Sequence, residues 1–107
     1  MNTHLIAALD TPDLAEARDL VRKLEGLVFA YKTGHALVLP HGLGVIEKLQ
    51  QSGAQRVFLD MKCRDIPNSV ALGVYEATQH GVWMMTLHAS GGIAMMAAAV
   101  EATFGLT

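Results

Sequence analysis

Residues 57–69 of the chain read VFLDMKCRDIPNS, an apolar run that leads into two carboxylates set around a lysine. The apolar part is short and rich in large side chains, which is typical of a buried strand. Because side chains on a strand alternate between its two faces, Asp60 and Lys62 are predicted to point the same way. An acid and a cation side by side at a strand end are costly to desolvate, so the pattern indicates a functional site.

Apolar segments of the same kind recur along the chain, and helical patterns separate them. The predicted strands are 5–9, 27–31, 56–59 and 82–87. The first predicted helix has its N-cap at Thr11, with Pro12 at the first helical position, and ends at Gly26. The second begins irregularly at His35, passes Pro40 and lies mainly over 42–51. The third covers about 68–80, and the fourth follows Gly91-Gly92 and ends at about 104. This alternation predicts a parallel sheet with right-handed crossovers in a single domain, 1–107.

Every predicted strand is followed by polar or charged residues. They are Asp10, Lys32, Asp60 with Lys62, and His88. Counting back in steps of two predicts the other side chains on that face of the sheet, namely Ile6, Ala8, Val28, Ala30, Phe58, Met84 and Thr86. In a barrel of eight βα units, the catalytic residues lie at the C-terminal ends of the strands. Such a barrel has roughly 250 residues. The first loop lacks the glycine-rich fingerprint of a doubly wound sheet. We therefore predict an α/β fold, the parallel (βα)4 half of a TIM (β/α)8 barrel.

Composition narrows the classes of partner. The net charge of −2 gives no electrostatic reason to expect nucleic acid or an anionic membrane as a partner, and no apolar run approaches the length of a membrane span. A single cysteine, Cys63, fits a reducing cytoplasm.

The segment 93–100 is apolar all round, which predicts a buried helix, and a half barrel would leave open strand edges. We expect self-association.

The motifs resemble those of the orotidine 5′-phosphate decarboxylase family, in its N-terminal half. Residues 6–10 are similar to the family's first strand and aspartate, 31–34 to its Lys-x-Gly after the second strand, and 87–92 to the end of its fourth strand. Residues 60–68, Asp-x-Lys-x-x-Asp-Ile-Pro-Asn, match its signature, and Ser69 stands where the family usually has threonine. The resemblance implies decarboxylation of orotidine 5′-phosphate to UMP in pyrimidine biosynthesis, without a metal or an organic cofactor.

The resemblance also implies roles for individual residues. The catalytic candidates are Lys62, Asp60, Asp65 and Lys32, and the substrate-binding candidates are Asp10, Ile66, Ser69 and His88. The Lys62 ammonium would stabilise the carbanion that is left when CO2 departs and then donate a proton, while Asp60 keeps that ammonium charged. In the family the residues that match Asp65 and Ser69 reach the neighbouring subunit's site, which implies a dimer. For His88, a packed histidine bonded to the backbone is an equal alternative.

Two other functions stay open. Magnesium-dependent sugar-phosphate relatives, such as 3-keto-L-gulonate-6-phosphate decarboxylase and the aldolase hexulose-phosphate synthase, share Asp-x-Lys-x-x-Asp but typically carry an acidic metal ligand where this chain has Lys32. The histidines show no metal-ligand spacing, so no metal residue is predicted. The other function is a catalytically silent half-barrel module that assembles with itself or with a complementary half. The family's phosphate-binding arginine and closing loop lie in its second half, so little or no activity is expected of these 107 residues alone.

Overall fold

The computed structural model describes residues 2–105, and these contain a four-stranded parallel sheet in the order β1-β2-β3-β4. The strands are β1 (Ile6–Ala8), β2 (Ala30–Gly34), β3 (Val57–Cys63) and β4 (Met84–Leu87). The predicted parallel βα order is confirmed. The second strand begins three residues later than predicted because Leu27 still belongs to the turn that leaves the first helix, its N–H donating to the Leu24 carbonyl at 2.9 Å. Lys32 therefore lies inside a strand rather than after it.

Helices connect the strands and cover one face of the sheet. They are α1 (Leu14–Leu24), α2 (His35–His41), α3 (Val45–Gln51), α4 (Pro67–Gln79) and α5 (Ile93–Ala102), with a short 3₁₀ turn at Ala89–Gly91 before α5. The predicted second helix is thus two helices. Gly42 separates them, because its backbone has a positive φ of 81° and its N–H closes α2 on the Val38 carbonyl at 2.6 Å.

The start of α1 corrects one prediction. Its N-cap is Asp13 rather than Thr11, and the Asp13 carboxylate accepts the N–H of Glu16 at 3.2 Å. The hydroxyl of Thr11 instead accepts the N–H of Asp13 at 3.1 Å. A carboxylate at this position satisfies a free N–H of the first turn and also meets the positive end of the helix dipole, which explains why aspartate takes the cap.

The hydrophobic core lies between the sheet and the helices. Its buried side chains come from the odd-numbered strand positions and from the inner helix faces, and include Leu9, Val21, Tyr31, Leu37, Ile46, Leu49, Val57 and Leu59. The Tyr31 hydroxyl donates to the Val21 carbonyl at 3.3 Å and so joins β2 to α1. A second cluster joins α4 to α5 through Val70, Val74, Met95, Ala99 and Ala102.

The predicted strand parity is confirmed by the pairing register. Ile6 pairs with Ala30, Lys32 with Phe58, and Phe58 with Met84, so these residues lie on one face as predicted. This is the face opposite the helices. Ile6 and Met84 are exposed on it, which leaves it partly open to solvent within the described chain. The prediction for Val28 is wrong, because Val28 precedes β2 and packs against the hydrophobic core.

The prediction for α5 is wrong in part. Met95, Ala99 and Ala102 are buried against α4, but Ile93 is 83% exposed and Val100 is 59% exposed. One face of α5 packs within the described chain, and its opposite face presents apolar side chains to solvent. Among residues 2–105, no helix has the length and apolar character that crossing a membrane requires.

The close approach of β2 to β3 gives a test of the fold. A Cβ on Gly34 would lie 2.7 Å from the Asp60 carbonyl oxygen, so Gly34→Ala must push the strands apart. We expect it to lower the free energy of unfolding by about 1–3 kcal/mol in chemical denaturation. Gly73→Ala is the control, because an added Cβ on Gly73 in α4 would meet nothing within 4 Å beyond its chain neighbours and the backbone of its own helix. It should raise that energy by up to about 1 kcal/mol. Equal stability of Gly34→Ala and wild type would contradict the strand spacing.

Candidate active site

The C-terminal ends of the first three strands form one cleft of about 290 Å³. Its lining includes the predicted residues Asp10, Lys32, Asp60 and Lys62, together with residues 33–36. These four ionisable side chains come from the loop after β1, from β2 and from β3. Parallel strands bring their carboxyl ends to one edge of a sheet, which explains how residues fifty positions apart meet.

Asp60 is the centre of the cluster. Its Oδ2 accepts a hydrogen bond from Lys62 Nζ at 2.9 Å and lies 3.4 Å from Lys32 Nζ. Its Oδ1 accepts the hydroxyl of Thr86 on β4 at 2.7 Å. The Asp60 side chain is 13% exposed, whereas that of Lys62 is 63% exposed. The carboxylate is therefore largely shielded and held on both oxygens, while the Lys62 ammonium remains open to an incoming molecule.

These contacts set the ionisation of Asp60. The hydrogen bond from Lys62, followed by the one from Thr86, lowers the pKa of Asp60 from 3.8 to about 2, against an opposing effect of burial. Donors that bond to the charged form of a carboxylate favour that form. Asp60 is thus ionised throughout the physiological pH range and holds a negative charge beside the Lys62 ammonium.

The backbone at Lys62 departs from a regular strand. Leu59 pairs with Met85 and Cys63 with Leu87, so Asp60, Met61 and Lys62 stand opposite Thr86 alone. Lys62 has a positive φ of 52°, a conformation that a residue other than glycine seldom adopts. Such bulges are common beside active sites, where they redirect a side chain. The ion pair of Asp60 and Lys62 exists as predicted, but through a bulge rather than through strand alternation.

The other predicted site residues lie elsewhere in the described chain. Asp65 and Ile66 line a separate, open depression of about 500 Å³ with Arg64, Pro67, Ser90 and Gly91. The Asp65 carboxylate accepts the N–H of Ile66 at 2.7 Å. Ser69 is exposed in the first turn of α4.

His88 is exposed and caps the 3₁₀ turn. Its Nδ1 accepts the N–H of Ser90 at 3.3 Å and lies 2.6 Å from the Ser90 hydroxyl. The residue is bonded to backbone but is not packed, and its assignment to substrate binding stays a prediction.

Sequence reasoning did not include Thr86 in the site, although it placed Thr86 on the correct face of the sheet. The signal was available, because β4 neighbours β3 and the parity that selects Asp60 also selects Thr86. Thr86 was missed because it belongs to no sequence motif that marks a functional residue. Within residues 2–105, no group of three or more histidine, cysteine, aspartate and glutamate residues could hold a metal ion.

Comparison with known proteins points to one family. The family model described as orotidine 5′-phosphate decarboxylase / HUMPS family matches residues 3–106. Orotidine 5′-phosphate decarboxylase of Pseudomonas putida is 42% identical over 99 residues, which cover 92% of this chain and 42% of that protein. The enzyme of the same name from Syntrophotalea carbinolica is 46% identical over 98 residues, 92% of this chain and 40% of that protein. The chain spans about two fifths of the length of these curated relatives.

Solved structures agree on the architecture. Orotidine 5′-phosphate decarboxylase from Lactobacillus acidophilus superposes with a TM-score of 0.83 at 35% identity, covering 94% of this chain and 45% of that one. The orotidine 5′-monophosphate decarboxylase structure from Methanocaldococcus jannaschii gives a TM-score of 0.86 at 24% identity, which shows the fold alone, over 94% of this chain and 49% of that one. These neighbours are TIM barrels, and the chain matches about half of each, so the predicted half-barrel fold is confirmed.

The shifted pKa of Asp60 predicts a pH dependence. A carboxyl whose pKa falls on folding adds stability above its unfolded value, and loses that contribution as the pH drops towards its folded value. The stability that Asp60 gains from Lys62 should therefore be complete above about pH 4 and disappear towards pH 2. We expect Lys62→Met to move the Asp60 titration in carboxyl ¹³C NMR from about 2 towards 3.8.

Lys23→Met is the matched control for that titration. Lys23 pairs with Asp19 at 2.8 Å on the surface of α1, so its removal should leave Asp60 unchanged. If Asp60 titrates near 3.8 in the wild-type chain, the described ion pair does not form in solution.

Proposed function

The chain belongs to the orotidine 5′-phosphate decarboxylase / HUMPS family, and from that premise we propose that it supplies the Asp–Lys part of a site that converts orotidine 5′-phosphate to UMP and CO2. The observation that carries the proposal is the Lys62 ammonium, which is fixed 2.9 Å from an ionised carboxylate at the mouth of the sheet. The curated relatives at 42% and 46% identity bear the name of this activity. Residues 1–107 would form a single half-barrel domain.

The proposed step follows from the charges. The bond between C6 of the pyrimidine and its carboxyl carbon breaks, and the electron pair stays on C6. The Lys62 ammonium stabilises this negative charge and then transfers a proton to C6, which gives UMP and leaves a neutral amine for solvent to protonate again. Asp60 lies beside the departing carboxylate and keeps Lys62 charged until the proton moves.

The remaining residues would bind and orient the substrate. Lys32 places a second ammonium on Asp60 Oδ2 at 3.4 Å, which balances the charge and limits movement of the carboxylate. Asp10 would bind ribose hydroxyls at the side of the same cleft. Asp65 and Ser69 would reach a neighbouring subunit's site, and Ile66 and His88 would contact the substrate.

The alternative functions have less support. Two ammonium groups face Asp60, so a divalent cation would meet unfavourable charge there. The other alternative is a catalytically silent half-barrel module that assembles with itself or with a complementary half. The polar cleft fits a small-molecule substrate, and the net charge of −2 gives no reason to expect nucleic acid or a membrane as a partner. The single cysteine fits a location in the reducing cytoplasm.

Exposure of the site predicts how the chain behaves alone. Lys62 is 63% exposed, and charges stabilise a transition state far better in a closed, water-poor site. We expect the 107 residues to turn over orotidine 5′-phosphate slowly or not at all, and to gain activity when a polypeptide with the four C-terminal βα units of a relative is added. The readout is UMP formation by absorbance.

The controls separate the alternatives. Lys62→Ala should abolish the gained activity, Lys23→Ala should leave it intact, and a chelator should have no effect. Loss of activity with the chelator would favour the magnesium-dependent relatives. No gain with the second half would favour a silent module.

We further propose that the chain forms homo-oligomers, with a dimer as the functional unit. Strands β1 and β4 are the edges of the sheet, and Ile93, Val100 and Phe104 expose apolar surface. Light scattering coupled to size exclusion should show a mass above that of one chain. Val100→Glu should shift the population towards monomer, and Glu101→Gln, on the same exposed side of α5, should not. A monodisperse wild-type monomer would contradict the proposal.

A further inference from the structure

Thr86 occupies a special position in the sheet. It is the residue of β4 that stands opposite the three-residue bulge of Asp60, Met61 and Lys62. Its hydroxyl donates to Asp60 Oδ1 at 2.7 Å and accepts the backbone N–H of Lys62 at 3.0 Å. One half-buried side chain thus bonds to both members of the ion pair, from a neighbouring strand.

The bond to the Lys62 backbone replaces one that the bulge removes. A bulge interrupts the ladder between two strands, and the N–H of Lys62 donates to the Thr86 hydroxyl instead of to a backbone carbonyl. Lys62 also holds a left-handed backbone with φ of 52°, which is unfavourable for a residue other than glycine and persists only where surrounding contacts fix it. The Thr86 hydroxyl supplies such a contact at the residue whose ammonium must be placed.

The bond to Asp60 selects the orientation of the carboxylate. With Oδ1 engaged by Thr86, Oδ2 is left to face Lys62 at 2.9 Å and Lys32 at 3.4 Å. Rotation of the carboxylate would break the Thr86 bond as well as the ion pairs. The two bonds of one hydroxyl therefore fix the acid and the cation relative to each other.

We propose that Thr86 is a positioning residue, which sets the Lys62 ammonium and the Asp60 carboxylate in their reactive arrangement without contacting the substrate. For its activity readout this inference rests on the proposed function. Its geometric part concerns the chain itself and is measured independently.

The test compares variants of Thr86 that keep the hydroxyl with variants that lose it. Thr86→Val keeps the shape of the side chain and loses the hydroxyl, and Thr86→Ser keeps the hydroxyl and loses the methyl group. Thr86→Ala is paired with Thr86→Ser, so the comparison survives if the valine variant does not fold. Thr103→Val, at the end of α5, is a control for loss of a hydroxyl elsewhere.

The expected result is a loss that follows the hydroxyl. In the chain complemented by the second half of a relative, Thr86→Val and Thr86→Ala should lower kcat on the order of 10- to 100-fold with KM within about two-fold, because a misplaced catalytic group affects the reacting step. Thr86→Ser should recover kcat to within a few-fold of wild type. A residue that merely stabilises the sheet would lower stability without this split between kcat and KM.

A second readout does not need activity. Carboxyl ¹³C NMR of the 107-residue chain should show the Asp60 pKa rising above about 2 in Thr86→Val and Thr86→Ala, and staying near its wild-type value in Thr86→Ser. An Asp60 titration that is the same in all three variants overturns the inference, whether or not the chain is active. An active wild type with unchanged kcat in Thr86→Val also overturns it, while leaving the proposed function standing. Absence of turnover in the wild-type chain complemented by the second half of a relative counts against the proposed function, and the titration then decides the role of Thr86.

Discussion

The Asp60 carboxylate is the constraint on which the site depends. It accepts hydrogen bonds from Lys62 and Thr86 and pairs with Lys32, so one partly buried anion organises side chains from three strands. Removing its charge would leave two ammonium groups close together, with nothing to balance their repulsion. The alternation of negative and positive groups is what allows four ionisable side chains to share one cleft of about 290 Å³.

The fold supplies the distances that this arrangement needs. Gly34 lies opposite Asp60 in the register, and the absence of a side chain there lets β2 approach β3 closely enough for Lys32 to reach the carboxylate. The bulge in β3 then turns Lys62 back towards Asp60, while the pairing of Cys63 with Leu87 restores the ladder beyond it. A regular sheet would provide the same residues but not the same geometry.

Much of this could be predicted from the sequence because strand alternation is a local rule. The apolar runs locate β1, β3 and β4, and the period of two assigns Phe58, Asp60 and Thr86 to one face. The motif of residues 60–68 then identifies the family. Asp10, Lys32, Asp60 and Lys62 meet as expected because parallel strands end at one edge.

The remaining features depend on contacts between distant residues. The left-handed backbone of Lys62 is supported by Thr86, which lies 24 positions away, so no local pattern reveals it. The late start of β2 follows from the turn that closes α1. The exposed face of α5 could not be predicted, because a segment that is apolar on every side contains no pattern that separates its buried face from its exposed face.

The most direct test of the account is the mobility of the Lys62 ammonium. NMR relaxation of the side-chain nitrogen compares Lys62 with Lys23, whose ion pair on α1 is exposed at both partners. If Asp60 and Thr86 hold Lys62 in place, the order parameter of its side-chain nitrogen will be clearly higher than that of Lys23. Equal, low order parameters for the two lysines would show that the ammonium is not fixed, and would contradict the central claim.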